Sequence, residues 1–311
     1  MPLHPVVQKM LDGMKASGWQ GIAKTTPVEA RAIMAQRAAL FGDGPEIGQI
    51  ESWEFATRTG KLRGRLLFPK TKATALIVFY HGGGWVIGGI DESEMIARFL
   101  VDKTGAAVAL VDYRLAPEHP FPTPIEDCYD GLLWGAKEAG VQRLNVPLVV
   151  AGDSAGGNLA TVCAMLARDR GGPKIALQIL MYPVCDCDME TDSYRAFGSG
   201  LVLTAADMGW FYDHYLQSDR HKRADPLVSP LRALALQGLP PALIITAEYD
   251  VLRDEAETYG KRLAAAGVKV SIKRYRGVTH GFVRMQNLLD VARTSMDDIA
   301  AVMAATIGRK Q

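Results

Sequence analysis

Short apolar runs recur along most of the chain and alternate with segments of helical periodicity. The runs in the middle of the chain are continuously apolar, which is typical of strands buried on both faces of a parallel sheet. Strands are predicted at Ile50–Thr57, Lys61–Phe68, Ala73–Tyr80, Ala106–Val111, Leu148–Gly152, Ile175–Tyr182, Ala242–Ala247 and Val268–Tyr275. Two closely spaced strands followed by alternating helices and strands predict a mostly parallel, three-layer α/β sheet.

Segments with apolar residues at helical spacing lie before, between and after these strands. Helices are predicted at Pro5–Ser17, Val28–Leu40, Ser93–Lys103, Pro124–Glu138, Ala155–Arg170, Thr204–Leu216, Val251–Ala266 and Gln286–Ile307. The first two belong to an N-terminal helical segment that ends at the turn residues Gly42–Pro45. The stretch Cys185–Arg223 interrupts the alternation with one helix and no strand. We interpret it as an insertion above the carboxyl ends of the strands, where such sheets bind ligands.

Composition and charge narrow the class of protein. Of 311 residues, 48% are hydrophobic and 22% are charged, which argues against extensive disorder. The 35 basic and 34 acidic residues give a formal net charge of +1, which gives no support for a nucleic acid or an anionic membrane as partner. The longest strongly apolar run, Ala73–Tyr80, is too short to span a bilayer. Charged residues are scattered through Met1–Gly18, so no signal peptide is predicted and we expect a cytoplasmic protein.

The four cysteines are expected to be free thiols, as is usual in a reducing compartment. They are Cys128, Cys163, Cys185 and Cys187. The last two are separated by a single aspartate, but no CxxC or HxxxH partner follows them, so no metal site is predicted.

A G-x-S-x-G motif at Gly152–Gly156 is the first candidate for chemistry. It directly follows an apolar strand and opens a predicted helix, which is the context that a nucleophilic serine on a sharp turn requires. An ordinary glycine-rich turn between a strand and a helix is the alternative, and the flanking elements make it the weaker one. Ser154 is therefore the predicted nucleophile.

Three consecutive glycines follow the strand that ends at Tyr80, in the motif His81–Trp85. Such a loop lets backbone N–H groups turn toward a ligand oxygen, as the tetrahedral intermediate of acyl transfer requires. His81 invites the reading of a catalytic base. We prefer a supporting role, in which His81 fixes the loop by hydrogen bonding, because loops of this class supply the oxyanion hole.

The base and its orienting acid are sought after Ser154, since the expected chain order is serine, acid, histidine. His280 lies in a predicted loop after the last strand, whereas His214 and His221 lie in the insertion. Asp250 follows the strand before it, at the exit to the next helix. Two other acids are nearby: Asp254, placed inside that helix, and Glu248. Asp250 is preferred because the acid must reach the imidazole from a loop.

Together these motifs resemble the α/β-hydrolase superfamily, and within it the hormone-sensitive-lipase-like bacterial esterases of family IV, in the GDSAG branch. The resemblance covers nearly the whole chain, and the motifs that carry it are His81–Trp85, Asp112–Pro122, Gly152–Gly156, Tyr249–Glu255 and Thr279–Phe282. One position departs from the family pattern: Val251 stands where a proline usually follows the catalytic aspartate.

The resemblance implies an eight-stranded, mostly parallel sheet flanked by helices, with a helical cap. It implies Ser154 as nucleophile, Asp250 as orienting acid and His280 as base. Oxyanion-hole donors would come from Gly83, Gly84 and Ala155, with His81 and Gly82 supporting the loop. The expected segments are 1–45 and 185–223 for the cap, and 46–184 and 224–311 for the core. Trp85, Tyr182 and Phe211 are expected to line the substrate pocket.

The predicted function is a serine carboxylesterase for short-to-medium acyl esters, with a small-molecule ester as its partner and no cofactor. A hydrolase of the same fold that cleaves amides or peptides is an alternative, because one triad can serve several acyl-transfer chemistries. A non-catalytic small-molecule receptor, similar to plant gibberellin receptors, is a weaker one, because the base and acid are both present.

The last predicted strand, Val268–Tyr275, should lie at an edge of the sheet, where a second copy can pair with it. Lys269, Lys273, Arg274 and Arg276 place positive charge along that edge, which opposes the approach of two identical strands. A homodimer through this edge is therefore a prediction with evidence on both sides.

Overall fold

An eight-stranded sheet lies at the centre of the fold, in a computed structural model that describes residues 2–139 and 144–308. The strands are β1 (Gln49–Thr57), β2 (Gly60–Phe68), β3 (Leu76–Tyr80), β4 (Ala107–Val111), β5 (Leu148–Asp153), β6 (Ile175–Met181), β7 (Ala242–Tyr249) and β8 (Val270–Thr279). Their spatial order is β1-β2-β4-β3-β5-β6-β7-β8. β2 is antiparallel to β1 and β4, and the remaining neighbours are parallel. The predicted mostly parallel sheet is confirmed, with the last strand at one edge.

Nine helices surround the sheet in the part of the chain that the structure describes. They are α1 (Pro5–Ala16), α2 (Pro27–Ala38), α3 (Ile90–Thr104), α4 (Thr123–Trp134), α5 (Ala155–Asp169), α6 (Asp192–Phe197), α7 (Ala205–Leu216), α8 (Arg253–Ala265) and α9 (Asp290–Ile307). Buried side chains of α4, α5 and α8 form one core with one face of the sheet, and those of α3 and α9 form a second core with the other face. Successive residues of a strand serve opposite cores, as with Ile77 and Val78. This is the three-layer arrangement that the apolar runs predict.

The N-terminal helical segment contacts both helix α7 and the loops that follow the strands. Between α1 and α2, the backbone N–H of Ala23 donates to Asp207 of α7 at 2.9 Å. From α2, Arg31 donates to the carbonyl oxygens of Val86 and Ala116 at 2.8 Å each, and forms a two-pronged ion pair with Glu118. α1, α2 and α7 therefore lie together, above the loops that follow the strands.

Several predicted boundaries differ from those observed. β8 extends to Thr279, so the predicted loop at 277–279 is strand, in which the positive φ of 71° at Gly277 bends the chain. The short helix α6 was not predicted within Cys185–Arg223. Helix α9 begins at Asp290, not Gln286, because a 3-10 turn at Phe282–Arg284 precedes it. Residues 1 and 309–311, at the ends of the predicted segments, lie outside the described residues.

No helix within residues 2–139 and 144–308 has both the length and the apolar character to cross a bilayer.

Candidate active site

Ser154 occupies a sharp turn between β5 and α5, and its backbone is strained. Its φ of 57° and ψ of −119° lie where residues with a side chain are rare. Two glycines make the turn possible: a Cβ on Gly156 would lie 1.9 Å from the carbonyl oxygen of Tyr80, and one on Gly152 would lie 2.2 Å from that of Gly156. The strain thus places the serine hydroxyl at the carboxyl end of the sheet, facing a cavity.

A histidine and a carboxylate complete a continuous chain of hydrogen bonds with this hydroxyl. The Nε2 atom of His280 lies 2.9 Å from Ser154 Oγ, and its Nδ1 lies 2.8 Å from Oδ2 of Asp250. The other oxygen of Asp250 accepts the backbone N–H of Leu252 at 3.0 Å, and the carboxylate is fully buried. These bonds orient the imidazole with Nε2 toward the serine, which is the arrangement that activates a nucleophile.

The two competing acids are engaged elsewhere. Asp254 forms an ion pair with Arg253 and accepts the backbone N–H of Ser193 at 2.8 Å. Glu248 accepts the backbone N–H of Gly277 at 2.8 Å. The structure therefore places Asp250 beside the imidazole of His280, whereas Asp254 and Glu248 contact other segments.

The glycine loop after β3 turns its backbone toward the same cavity. Gly83 and Gly84 have positive φ values of 120° and 57°, and both line the cavity with Ser154. Their N–H groups meet no acceptor within the described part of the chain. The N–H of Ala155 is the first of α5, where a helix has no internal acceptor for it. This arrangement can place three free donors around an oxyanion.

His81 lies behind this loop and not beside Ser154. Its Nδ1 lies 2.8 Å from the carbonyl oxygen of Gly82, and its ring stacks on Tyr113 at 4.3 Å between centroids. The Tyr113 hydroxyl donates to the His81 carbonyl at 2.7 Å. Burial lowers the pKa of His81, so its ring is neutral at physiological pH and holds the loop by packing and hydrogen bonding.

A buried ion pair that the sequence reasoning missed joins three loops of the site. Asp153, the residue before Ser154, receives two hydrogen bonds from Arg284, at 2.8 and 2.9 Å, and one from the backbone N–H of Gly82 at 2.8 Å. Burial opposes both charges, yet their attraction lowers the pKa of Asp153 and raises the pKa of Arg284. The only sequence signal was an arginine four residues after His280.

The cavity above Ser154 has a volume of about 400 Å³ and a mainly apolar lining. Side chains from α1, α2 and α7 cover it, and methionines recur among them. The lining methionines are Met10, Met14, Met34, Met208 and Met285. Methionine adapts its shape to what it contacts, because its chain is unbranched and its sulfur is polarisable. The site therefore suits apolar groups of varied shape.

Two of the three expected pocket residues do not line this cavity. Trp85 is fully buried and stacks on Tyr215 of α7 at 4.3 Å between ring centroids. Tyr182 is also buried, with its ring centroid 4.6 Å from that of His280. Both have positive φ values, 62° and 37°, and both side chains are buried in the core. Phe211 does line the cavity, as expected.

All four cysteines are buried and free. Burial raises the pKa of each thiol, to about 12 for Cys163 and Cys187. Within the described ranges, no three histidine, cysteine or acidic side chains form a group that could hold a metal ion.

Comparison with known proteins identifies relatives that share this arrangement of the chain. A family model described as the alpha/beta hydrolase fold matches residues 77–284. The carboxylic ester hydrolase LipN of Mycobacterium tuberculosis is 37% identical over 99% of this chain and 84% of its own. The ethyl acetate hydrolase of Pseudomonas putida is 36% identical over 85% of each chain. The solved structure of the hyperthermophilic esterase from the archaeon Pyrobaculum calidifontis is 36% identical and covers 98% of this chain and 99% of its own, with a TM-score of 0.89.

Proposed function

The chain belongs to the alpha/beta hydrolase family and is a carboxylic-ester hydrolase, and we propose that it acts on short-to-medium acyl esters through an acyl-enzyme on Ser154. The observation that carries this proposal is the chain of hydrogen bonds from Ser154 through His280 to Asp250 at the base of an apolar cavity. Such a chain activates a hydroxyl for attack on a carbonyl carbon.

In the first half of the reaction, Ser154 Oγ attacks the ester carbonyl while His280 Nε2 accepts its proton. The N–H groups of Gly83, Gly84 and Ala155 hold the oxyanion that forms. Protonated His280, stabilised by Asp250, then gives the proton to the leaving alcohol. In the second half, His280 Nε2 takes a proton from a water molecule, whose oxygen attacks the acyl carbon. The bond between that carbon and Ser154 Oγ then breaks, His280 returns the proton to Ser154, and the acid leaves.

The preference for shorter acyl chains rests on the shape of the site. Helices α1, α2 and α7 cover the cavity of about 400 Å³, so the acyl chain must fit within a bounded space. A long chain would need an open groove, or would have to displace these helices. We therefore expect the rate to peak at short-to-medium chains and to decline toward long ones.

Hydrolysis of a series of p-nitrophenyl esters, from acetate to palmitate, tests both parts of the proposal. Ser154→Ala should lower kcat by about 10⁶-fold, as loss of the nucleophile does in subtilisin, and should abolish the acyl-enzyme seen by mass spectrometry during turnover. Ser52→Ala, which removes an exposed hydroxyl from the outer strand β1, is the matched control. Faster hydrolysis of the palmitate than of the butyrate ester would overturn the chain-length proposal alone.

The alternatives differ in measurable ways. An amide- or peptide-cleaving enzyme would hydrolyse a p-nitroanilide of the preferred acyl group at a rate comparable with that of the ester. A receptor would bind its ligand equally well with and without Ser154 and would show no turnover. The complete hydrogen-bonded triad supports turnover, and the family relatives support esters as substrates.

Location, cap division and self-association stay predictions. Four free, buried thiols support a reducing, cytoplasmic location, and the contacts of α1, α2 and α7 support the division into a cap and a core. At the β8 edge, Lys273 and Arg274 form ion pairs with Asp298 and Glu257, which reduces the charge that opposes a dimer. A mass near the 33.8 kDa of one chain by light scattering would exclude the dimer.

A further inference from the structure

Arg37, in the last turn of α2, brings a positive charge to the wall of the substrate cavity. Its guanidinium lies over the ring of Trp19, 4.1 Å from the centroid. Among the residues that the structure describes, no carboxylate lies within ion-pair distance of it, and no oxygen accepts a hydrogen bond from it. Trp19 covers one face of the guanidinium, whereas its five N–H donors lie in the plane and stay free.

The other charged groups of the cavity wall have partners. Arg284 and Asp153 are paired with each other, as described above. Asp207 accepts the backbone N–H and the hydroxyl of Thr204, and the backbone N–H of Ala23.

Glu92 forms no ion pair among the described residues, but its charge acts on Arg63. The hydrogen bond from Arg63 to Asp112 raises the pKa of Arg63, and Glu92 adds to that shift by its charge. Among the charged residues that line the cavity, Arg37 is thus the cation for which the described part of the chain provides no carboxylate.

The Arg37 side chain is only partly buried, so the Trp19 ring and water can satisfy it in the free protein while its in-plane donors stay open to an anionic ligand. Burial lowers the pKa of Arg37, and no acidic neighbour opposes that effect. A carboxylate is the complementary group, because its two oxygens match two parallel N–H donors of a guanidinium. No described side chain supplies such a carboxylate, so a molecule that enters the cavity is the candidate to bring it.

We propose that Arg37 binds a carboxylate of the substrate. The enzyme then hydrolyses esters that carry a free carboxylate elsewhere in the molecule, as well as neutral esters. This inference rests on the proposed esterase function of the same site. It assigns Arg37 to substrate specificity and gives it no part in the bond-breaking steps.

Two matched pairs of esters test the proposal in a pH-stat assay. Monoethyl adipate carries the carboxylate on the acyl side and is compared with neutral ethyl hexanoate. The ω-acetoxyhexanoate anion carries it on the alcohol side and is compared with neutral hexyl acetate. For at least one pair, Arg37→Gln should lower kcat/KM of the anionic ester about tenfold, equivalent to about 1.4 kcal/mol, and change that of the neutral ester less than twofold. The affected pair identifies the side on which the carboxylate binds.

Two further variants separate local recognition from general effects. Arg37→Lys keeps the charge but loses the planar fork, so it should lie between wild type and Arg37→Gln. Lys24→Gln removes an exposed positive charge from the same N-terminal region and should leave all four esters unchanged. An equal loss for anionic and neutral esters in Arg37→Gln, or no loss for either, would overturn the proposal. Failure of the wild-type enzyme to hydrolyse the neutral esters would instead overturn the esterase function.

Discussion

Replacing Arg284 by methionine should both destabilise the protein and slow ester hydrolysis. The guanidinium makes two hydrogen bonds to Asp153, whose side chain is 3% exposed, so the variant leaves that carboxylate buried without its counter-charge. Breaking a buried pair by removing one partner costs about 3–5 kcal/mol. Asp153 keeps its hydrogen bond from Gly82, and the Arg284 side chain is itself 17% exposed, so we expect the lower end, about 3 kcal/mol.

The loss should depend on pH in a defined direction. In the wild type, the pKa of Asp153 is held below its ordinary 3.8, so the ion pair stabilises the fold above about that pH and the stabilisation is lost as the pH falls through the lower, folded value. Without Arg284, burial raises the pKa of Asp153, and protonation then relieves the unpaired charge. The destabilisation should therefore be larger at about pH 7 than at about pH 4.5.

Urea unfolding of both proteins at the two pH values measures this difference, and p-nitrophenyl butyrate hydrolysis measures the effect on the site. A fall in kcat of about tenfold is expected, because Asp153 loses the two hydrogen bonds that hold its carboxylate, and the glycine loop bound to it then loses its fixed position. Arg195→Met, which removes an exposed ion pair with Asp192, should change stability by less than about 0.5 kcal/mol. A destabilisation of Arg284→Met below about 1 kcal/mol at neutral pH, or one that does not vary with pH, would refute this reasoning.

Three further predictions concern single residues. Asp250→Asn should lower kcat about 10⁴-fold, because the amide no longer fixes the imidazole tautomer. Asp254→Asn should change kcat less than about tenfold. Equal losses in the same ester assay would contradict the assignment of the acid. Gly84→Ala should lower kcat at least about a hundredfold, since the new Cβ would lie 2.1 Å from Phe211 and shift an oxyanion donor; an unchanged rate would argue against that donor. Burial raises the pKa of Glu255 well above its ordinary 4.5, so above about pH 4.5 the residue ionises in the unfolded chain alone and the stability of the fold falls as the pH rises. Glu255→Gln should remove this contribution to the pH dependence of stability. A difference in melting temperature from the wild type that is constant between about pH 5 and 8 would contradict the prediction.

The sheet and the triad were predictable because both depend on local sequence order. The continuously apolar runs in the middle of the chain mark strands buried on both faces, as β3, β4 and β5 are, and all eight predicted strands were confirmed. The three residues of the triad, Ser154, Asp250 and His280, each follow a strand. Because these strands are parallel, their carboxyl ends lie on the same side of the sheet and bring the three residues together. The helix α6 has only six residues, and its signal, a capping threonine at position 191, is too weak to distinguish it from a loop.

The directions of side chains were less predictable, since tertiary packing decides them. Trp85 and Tyr182 are large aromatic residues next to catalytic loops, which favours a place in the pocket on sequence grounds. Both have positive φ, which is uncommon for residues with a side chain, and both are buried by contacts with distant segments such as Tyr215, which the local sequence does not predict. Arg37 presents the opposite case: it is an unremarkable helical arginine until its distance from other charges and its place on the cavity wall are known.

The ion pair between Asp153 and Arg284 explains why separate motifs work as one site. The glycine loop, the nucleophile turn and the segment after His280 are far apart in the sequence, and each was interpreted alone. In the fold, the carboxylate of Asp153, in the nucleophile turn, accepts a hydrogen bond from Gly82 of the glycine loop. It also accepts two from Arg284, in the segment after His280. Since the Asp153 carboxylate is buried, its charge is fully satisfied only when all three segments are in place. We therefore expect this interaction to position the proposed oxyanion donors and the His280 imidazole together, and a shift in one segment to affect the other two.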